Sequence, residues 1–288
     1  MAPMKVEDRP LPSPTTDRDR AFADLDTHGY CLVANVLSET QVAAMRARVI
    51  EQGLGEDAAN VSFHDGKANQ RIWMMVNKGR MFRDLVVHPF VTEMMPHLLG
   101  KDFLLSSLTA NIARPGGEPM YLHADQGYID FWTPKPVVAN ILWMLDDFND
   151  ENGGTRLLPG SHLRGREPED THDRSIAAEG PAGSALVFDG RLIHGTGANR
   201  SRDVQRHGVL SYFCRPFVRQ QENYFLGLAP RLRATEREAF LERLGYRIWA
   251  GLGRTDRPGE RELLERVEHP VGALDPAGRS AAADLPLP

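Results

Sequence analysis

The most constraining feature of the sequence lies between Phe103 and Phe217, where short apolar or alternating runs are cut at close intervals by Gly, Pro, Asn and Asp. The runs read FLLSSLTANIA, PMYLHADQGY, VVANILWML, GTRLLPGSH, GSALVFDG, HGTGAN and RHGVLSYF. Such spacing predicts about seven or eight antiparallel strands closing into a sandwich or barrel. On both sides the period lengthens to that of a helix. Phe22 and Leu25 share a face in RDRAFADLDTHG, ahead of an apolar strand in YCLVANVL. A helix is expected from Ser38 and Glu39 to about Gln52, with Val42, Met45 and Val49 as its stripe. A second helical zone covers Met81 to Leu99, broken at His88-Pro89. A last helix falls in TEREAFLERLGYRIWAG, where Phe240, Leu244 and Ile248 lie on one side.

The expected fold class is mainly β with flanking helices. Residues 1–17 and 270–288 are rich in Pro, Asp, Ala and Gly without hydrophobic periodicity and are expected as flexible ends. The 288 residues, 41% of them hydrophobic, leave 18–269 as one domain with a single large core. Lys and Arg number 34 against 39 Asp and Glu, and the net charge of −5 with scattered basic residues excludes an electrostatic footprint for nucleic acid. No run of eighteen apolar residues and no leader-like apolar segment occur, so no membrane association and a cytoplasmic location are expected. Cys31 and Cys214 are too few for a disulfide framework and are expected as buried packing residues in a reducing compartment.

Three places could carry chemistry. In His123-Ala124-Asp125, on a predicted strand, residues i and i+2 point to one face, so imidazole and carboxylate could hold one ion. Alone the tripeptide means little, since ten histidines and 39 acids produce about one such match by chance, and on its own a hydrogen-bonded surface pair is the favoured explanation. His194 ends the strand-like LVFDGRLIHGTG, with Thr196 on its face; by itself it reads as a satisfied strand histidine. Arg206 precedes the apolar run HGVLSYF, and its guanidinium, if turned inward, could take a carboxylate through two parallel hydrogen bonds. Two histidines and one carboxylate on one face of a metal, with three positions open, are diagnostic of non-haem Fe(II) oxygen-activating enzymes.

The motifs YLHADQGY at 121–128, WMLDDFNDENGGTRLLPGSH from Trp143 to His162, and HGTGANRSRDVQRHGVLSYF from His194 to Phe213 resemble the phytanoyl-CoA dioxygenase family of Fe(II)/2-oxoglutarate-dependent oxygenases. With the opening HGYCLVANVL the resemblance spans about residues 20–225, and N-G-G-T-R-x-x-P-G-S-H is its most specific part. It implies a double-stranded β-helix, the jelly-roll core shared with cupins, and three cofactors: Fe(II), the cosubstrate 2-oxoglutarate, and O2. Carried over position by position, His123, Asp125 and His194 look like the iron ligands. Arg206 looks like the partner of the distal carboxylate of 2-oxoglutarate, with Thr196 as helper. Thr155 and Asn111 resemble further cosubstrate contacts, and Arg71 an arginine that reaches the pocket in some members. Beside these stand plainer readings: a turn hydroxyl for Thr155, an Asx-turn for Asn111, a surface ion pair for Arg71.

The chain departs from the pattern where relatives often place a glutamine shortly before the first histidine; here Met120, Tyr121 and Leu122 stand. Asp125 is present where halogenating relatives have Gly or Ala, which disfavours halogenation. The resemblance implies oxidation of an unactivated C–H bond, by default hydroxylation, coupled to conversion of 2-oxoglutarate into succinate and CO2. Gln126, Tyr128, Phe131 and Trp132 could form an aromatic lid, and Trp73, Met74 and Met75 a far wall, or they are ordinary core. As pocket residues they favour an apolar, ring-containing small molecule as substrate, by analogy in secondary metabolism. Two other readings stay open: a jelly-roll Zn or Mn enzyme with non-oxidative chemistry, and a non-catalytic small-molecule binding protein. Nothing in the sequence decides the oligomeric state.

Overall fold

A computed structural model describes residues 10–65, 68–129, 131, 133–164 and 174–254. Residues 1–9, Trp132 and the expected C-terminal tail 270–288 lie outside the described residues. The strands are β1 (Tyr30–Val33), β2 (Phe63–Asp65), β3 (Asn69–Ile72), β4 (Leu104–Ala113), β5 (Val138–Met144), β6 (Arg156–Leu157), β7 (Ile176–Ala177), β8 (Ala185–Asp189), β9 (His194–Gly195) and β10 (Arg206–Cys214). The helices are α1 (Arg18–His28), α2 (Glu39–Ala58), α3 (Arg80–Val86), α4 (Pro89–Leu99), α5 (Tyr224–Gly227), α6 (Pro230–Thr235) and α7 (Glu238–Arg243). Seven strands form an antiparallel sheet in the order β1-β8-β5-β10-β4-β3-β2, and β7-β6-β9 form a smaller one facing it. This is the mainly-β jelly-roll architecture with flanking helices.

Alternation along the long strands sorts the large sheet into two faces. Leu108, Ala110 and Ile112 of β4, Ile141 and Trp143 of β5, and Val209 and Phe213 of β10 point toward the helices and join one core with Met45, Val49, Phe90, Met94 and Phe240. Trp143 is the largest side chain in that core; its Nε1 donates to Ser211 Oγ at 2.9 Å, and it meets His88 and Phe90 edge-on. On the other face Leu32, Leu142, Met144, Leu186 and Phe188 meet Leu157 from the smaller sheet and Phe148 from the loop after β5. The cavity opens between these layers.

The helices begin and end where side chains supply partners. Asp17 caps α1 by accepting from Arg20 N–H, Gly29 at φ 82° ends it, and Ser38 with Gln41 forms a capping box on α2. A Cβ on Gly29 would also stand 2.5 Å from His162 Nδ1, so the chain turn needs glycine twice over.

Several expectations are corrected. PMYLHADQGY is not a strand: His123 makes one isolated bridge to His194, and the chain turns from Asp125 onward. LVFDGRLIHGTG splits into β8 and β9, because Gly190 turns so close to Val138 that a Cβ would lie 2.5 Å from its carbonyl oxygen. β2 and β3 were not expected; FHD and NQRI are too short and polar to stand out. α2 runs on to Ala58, whereas α7 stops at Arg243 before Gly245 at φ 94°, leaving Ile248 outside it. Thr15, within the N-terminal stretch expected to be flexible, is held on β1: its N–H donates to Leu32 O and its carbonyl accepts from Ala34 N–H. Cys31 and Cys214 are buried and free. Among the described residues no helix is long and apolar enough to cross a membrane.

Candidate metal and cosubstrate site

His123, Asp125 and His194 converge at the mouth of the cavity, each offering one ligand atom within 4.8 Å of the others. His123 N–H donates to His194 O and His194 N–H to His123 O, both at 2.9 Å, and this bridge sets the two imidazoles 4.7 Å apart. His123 Nδ1 lies 3.1 Å from Tyr121 O and His194 Nδ1 2.9 Å from Leu192 O. A carbonyl at Nδ1 holds the proton there, so each ring turns its Nε2 lone pair toward Asp125. The two Nε2 atoms stand 3.5 Å from Asp125 Oδ1 and Oδ2 respectively.

The electrostatics suit a cation. Burial works against the Asp125 charge, yet His194, His123 and the amide of Asn140 hold its carboxyl below the ordinary range. Burial also depresses the His194 imidazole, which keeps it neutral, while for His123 the adjoining Asp125 outweighs burial and raises it. An ionised carboxylate with two imidazole nitrogens forms a donor set for a divalent metal, which would take the place of the proton that Asp125 favours on His123.

Behind the triad lies a cavity of about 460 Å³. Its lining includes the triad together with Arg71, Asn111, Thr155, Thr196 and Arg206, so all eight residues singled out in the sequence surround one space. Arg206 is 1% exposed, with its guanidinium 4.5 Å above the Phe148 ring. One Nη donates to Gly153 O at 2.6 Å, and Nε has no partner. Burial lowers its pKa to about 10, with the Asp146 carboxylate opposing the shift only through space, and among the described residues no carboxylate pairs with it directly. A buried cation in this state is an acceptor site for an anion. Asn111 Oδ1 and Arg71 Nε are likewise buried and unpaired, and the nearest acid to Arg71 is Asp65 at 4.0 Å. The unpaired guanidinium N–H groups of Arg206 and Arg71 are donors that a dicarboxylate reaching from Arg206 to the triad would meet, so the residues fit both iron and 2-oxoglutarate.

Of the expected substrate wall, Trp73 and Tyr128 line the cavity. Gln126 does not: its Nε2 donates to Thr133 Oγ1 and its Oε1 accepts from Val137 N–H, bracing the loop between them. Phe131 is exposed away from the cavity, and Met74 and Met75 pack in the helix-side core. Tyr121, in the stretch where the family glutamine is missing, lines the mouth with its ring 5.1 Å from His123. The sequence reading missed Ser107, Thr109, Gln221, Phe188, Tyr212 and Asn140. Ser107 and Thr109 precede Asn111 at two-residue steps on the same face of β4, which alternation could have revealed. Asn140 is a lone polar residue in the apolar run VVANILWML, which is its signal.

A family model described as phytanoyl-CoA dioxygenase (PhyH) matches residues 25–208. The chain belongs to the phytanoyl-CoA dioxygenase family. It is 31% identical to "Dioxygenase af480" of Aspergillus fumigatus over 77% of this chain and 74% of that one. To "Dioxygenase FUM3" of Gibberella moniliformis it is 29% identical over 72% and 75% of the two chains. Among solved structures, the non-haem α-ketoglutarate-dependent carbocyclase SnoK from nogalamycin biosynthesis superposes with a TM-score of 0.60 at 23% identity, over 80% of this chain and 95% of that one. HygX from Streptomyces hygroscopicus, with nickel and 2-oxoglutarate bound, superposes with a TM-score of 0.58 at 15% identity, over 70% and 88%. Family membership and the donor set together make this protein an Fe(II)/2-oxoglutarate-dependent oxygenase of that family.

Proposed function

We propose that the protein couples oxidation of 2-oxoglutarate to hydroxylation of an unactivated C–H bond in a small ring-containing molecule with an apolar body. The observation that carries the reading is Arg206, a buried guanidinium whose Nε has no partner and which lines the same cavity as the triad. His123 and His194 through their Nε2 atoms and Asp125 through its carboxylate would hold the metal. Arg206 takes the distal carboxylate of 2-oxoglutarate, Thr196 and Thr155 offer hydroxyls to it, and Arg71 presents its unpaired Nε–H and Asn111 its amide Nδ2 to the same cosubstrate. With iron and 2-oxoglutarate bound, the site supplies oxidative decarboxylation of the cosubstrate to succinate and CO2, with activation of O2. The remaining task of the protein is to orient the substrate and exclude water, and the pose decides which carbon is attacked.

Trp73, Tyr121 and Tyr128 at the mouth and Leu142, Leu210 and Phe188 deeper in favour a flat apolar body, while Ser107 and Thr109 give one edge hydrogen-bonding capacity. HygX with hygromycin B and the epimerase SnoN with nogalamycin RO are neighbours that hold small molecules, in keeping with this substrate class and with a place in secondary metabolism. The test is an anaerobic titration of metal-free protein with Fe(II) and then 2-oxoglutarate. A weak visible charge-transfer band should form, and Arg206→Ala should require far more 2-oxoglutarate to reach it. Bound iron without a band would favour non-oxidative metal chemistry; no metal uptake would favour a binding protein. Incorporation of one oxygen atom from labelled O2 into product separates hydroxylation from desaturation or rearrangement.

A further inference from the structure

The triad sits on backbone with little regular secondary structure: His123 belongs to one isolated bridge, Asp125 to a turn, and His194 to a strand two residues long. Its side chains must therefore be steadied from elsewhere. Behind them one rung crosses three long strands, with Tyr212 of β10 paired to Asn140 of β5 and Asn140 to Phe188 of β8. All three side chains reach the ligands. The Phe188 ring lies 4.6 Å from the His194 ring, Tyr212 Oη donates to the Asp125 carbonyl at 3.1 Å, and Asn140 Nδ2 donates to Asp125 Oδ2 at 2.5 Å.

Asn140 is fully buried, and its own Oδ1 has no partner. Burying a carbonyl in that state costs about 1–3 kcal/mol, so a residue kept there must return something through its other atom. The reversed amide would set oxygen against carboxylate, and only the observed orientation offers Asp125 a donor. With Oδ2 engaged, Oδ1 remains for a metal. That matters because a facial triad serves an oxygenase only while three positions stay open, and a carboxylate binding through both oxygens would close one of them.

Resting on the assignment of His123, Asp125 and His194 as ligands, we infer that Asn140 is a positioning residue that holds Asp125 as a one-oxygen ligand, with Tyr212 fixing the same residue by its backbone. The rung thus sets coordination number as well as affinity.

The test uses the full chain with Mn(II), measured calorimetrically, and Co(II), followed by its visible bands. Asn140→Leu keeps the volume and removes the donor. It should weaken Mn(II) binding roughly 10–100-fold, and the Co(II) bands should lose intensity as Oδ2 joins the metal. A merely structural asparagine would lower the melting temperature and leave the Co(II) spectrum of the folded protein unchanged. Tyr212→Phe keeps the ring and should weaken Mn(II) binding several-fold, which tests the rung even where Asn140→Leu does not fold. Metal affinity within twofold of wild type and an unchanged Co(II) spectrum, in Asn140→Leu or, failing that, in Tyr212→Phe, overturn the inference. His123→Ala is the control: if wild type and His123→Ala bind Mn(II) equally, the ligand assignment itself is what fails.

Discussion

The two faces of the large sheet come from the same strands and obey opposite rules. Toward the helices, polar groups find partners inside the protein: Trp143 Nε1 meets Ser211 Oγ, and His207 Nδ1 stands 2.7 Å from Asp146 Oδ2. Toward the cavity, Arg71 Nε, Asn111 Oδ1, Asn140 Oδ1 and Arg206 Nε are buried without partners. The helix side has its own orphan in His207 Nε2, and a second group, Asp24 Oδ2, Tyr30 Oη and His162 Nδ1, lies around the junction of α1 and β1 away from the cavity. Leaving polar groups unpaired costs stability, and that cost falls where a ligand can offset it. The helix face therefore holds the fold, and the cavity face holds capacity for binding.

The contrast breaks most completely at the triad. His123→Ala or His194→Ala should abolish Mn(II) binding and 2-oxoglutarate consumption, a larger loss than the roughly 10–100-fold expected for a supporting residue. Cooperative unfolding should persist, since neither side chain belongs to the main core. Substantial turnover in either variant would remove that histidine from the ligand set.

On the opposite face Trp143→Ala should do the reverse. Removing a fully buried tryptophan costs roughly 3–5 kcal/mol, read as a lower denaturation midpoint, while the folded fraction keeps its affinity for Mn(II) and 2-oxoglutarate. A variant that stayed stable yet lost 2-oxoglutarate binding would show that the two faces are not separable.

Arg206→Met sharpens the comparison because two readouts should move in opposite directions. A charged hydrogen-bonding pair is worth about 1.5–3 kcal/mol, so the 2-oxoglutarate requirement should rise roughly 10–100-fold. Stability without ligand should hold or increase, since a buried cation that lacks a direct ion-pair partner is replaced by an apolar side chain of similar length. Arg206→Lys should not restore affinity, because a point charge lacks the planar fork. Loss of stability with unchanged affinity would make Arg206 a structural residue.

How much of this was legible follows from the length of each element. β4 and β10 carry enough alternating positions for parity to be read, so once Arg206 opens β10 its inward direction follows from Leu210 and Tyr212 on the same face. His123 and Asp125 were singled out on the premise of a strand. They do face one space, but a bridge and a turn place them there, and strand periodicity has no bearing on either. β2 and β3, which bring Arg71 beside Asn111, are three and four residues long and carry almost no pattern. Asn140 depends on register across β10, β5 and β8, a relation between distant segments that no local window contains. For Gln126 and Met75 the plainer of the two readings holds, because a polar or sulfur-bearing side chain near a ligand in sequence can as easily brace a loop or fill the core.

The finest test uses neighbours on β10, since Arg206 points to the cavity and His207 to the helices. Asp146 serves the second: it accepts from His207 N–H and Nδ1 and pairs with Arg46 at 2.5 Å. Burial alone would raise its carboxyl, but the two His207 contacts and Arg46 hold it below the ordinary range. A carboxylate with a depressed folded pKa adds stability that is present above its unfolded value of about 3.9 and is lost as pH falls through the folded one. Wild type should therefore exceed Asp146→Asn by about 1–2 kcal/mol near neutrality, and the gap should close as the buffer is made more acidic than pH 4. The measurement is denaturant unfolding of both proteins across that range. Parallel profiles would mean that Asp146 contributes through shape and not charge, and the helix face would then owe its order to packing alone.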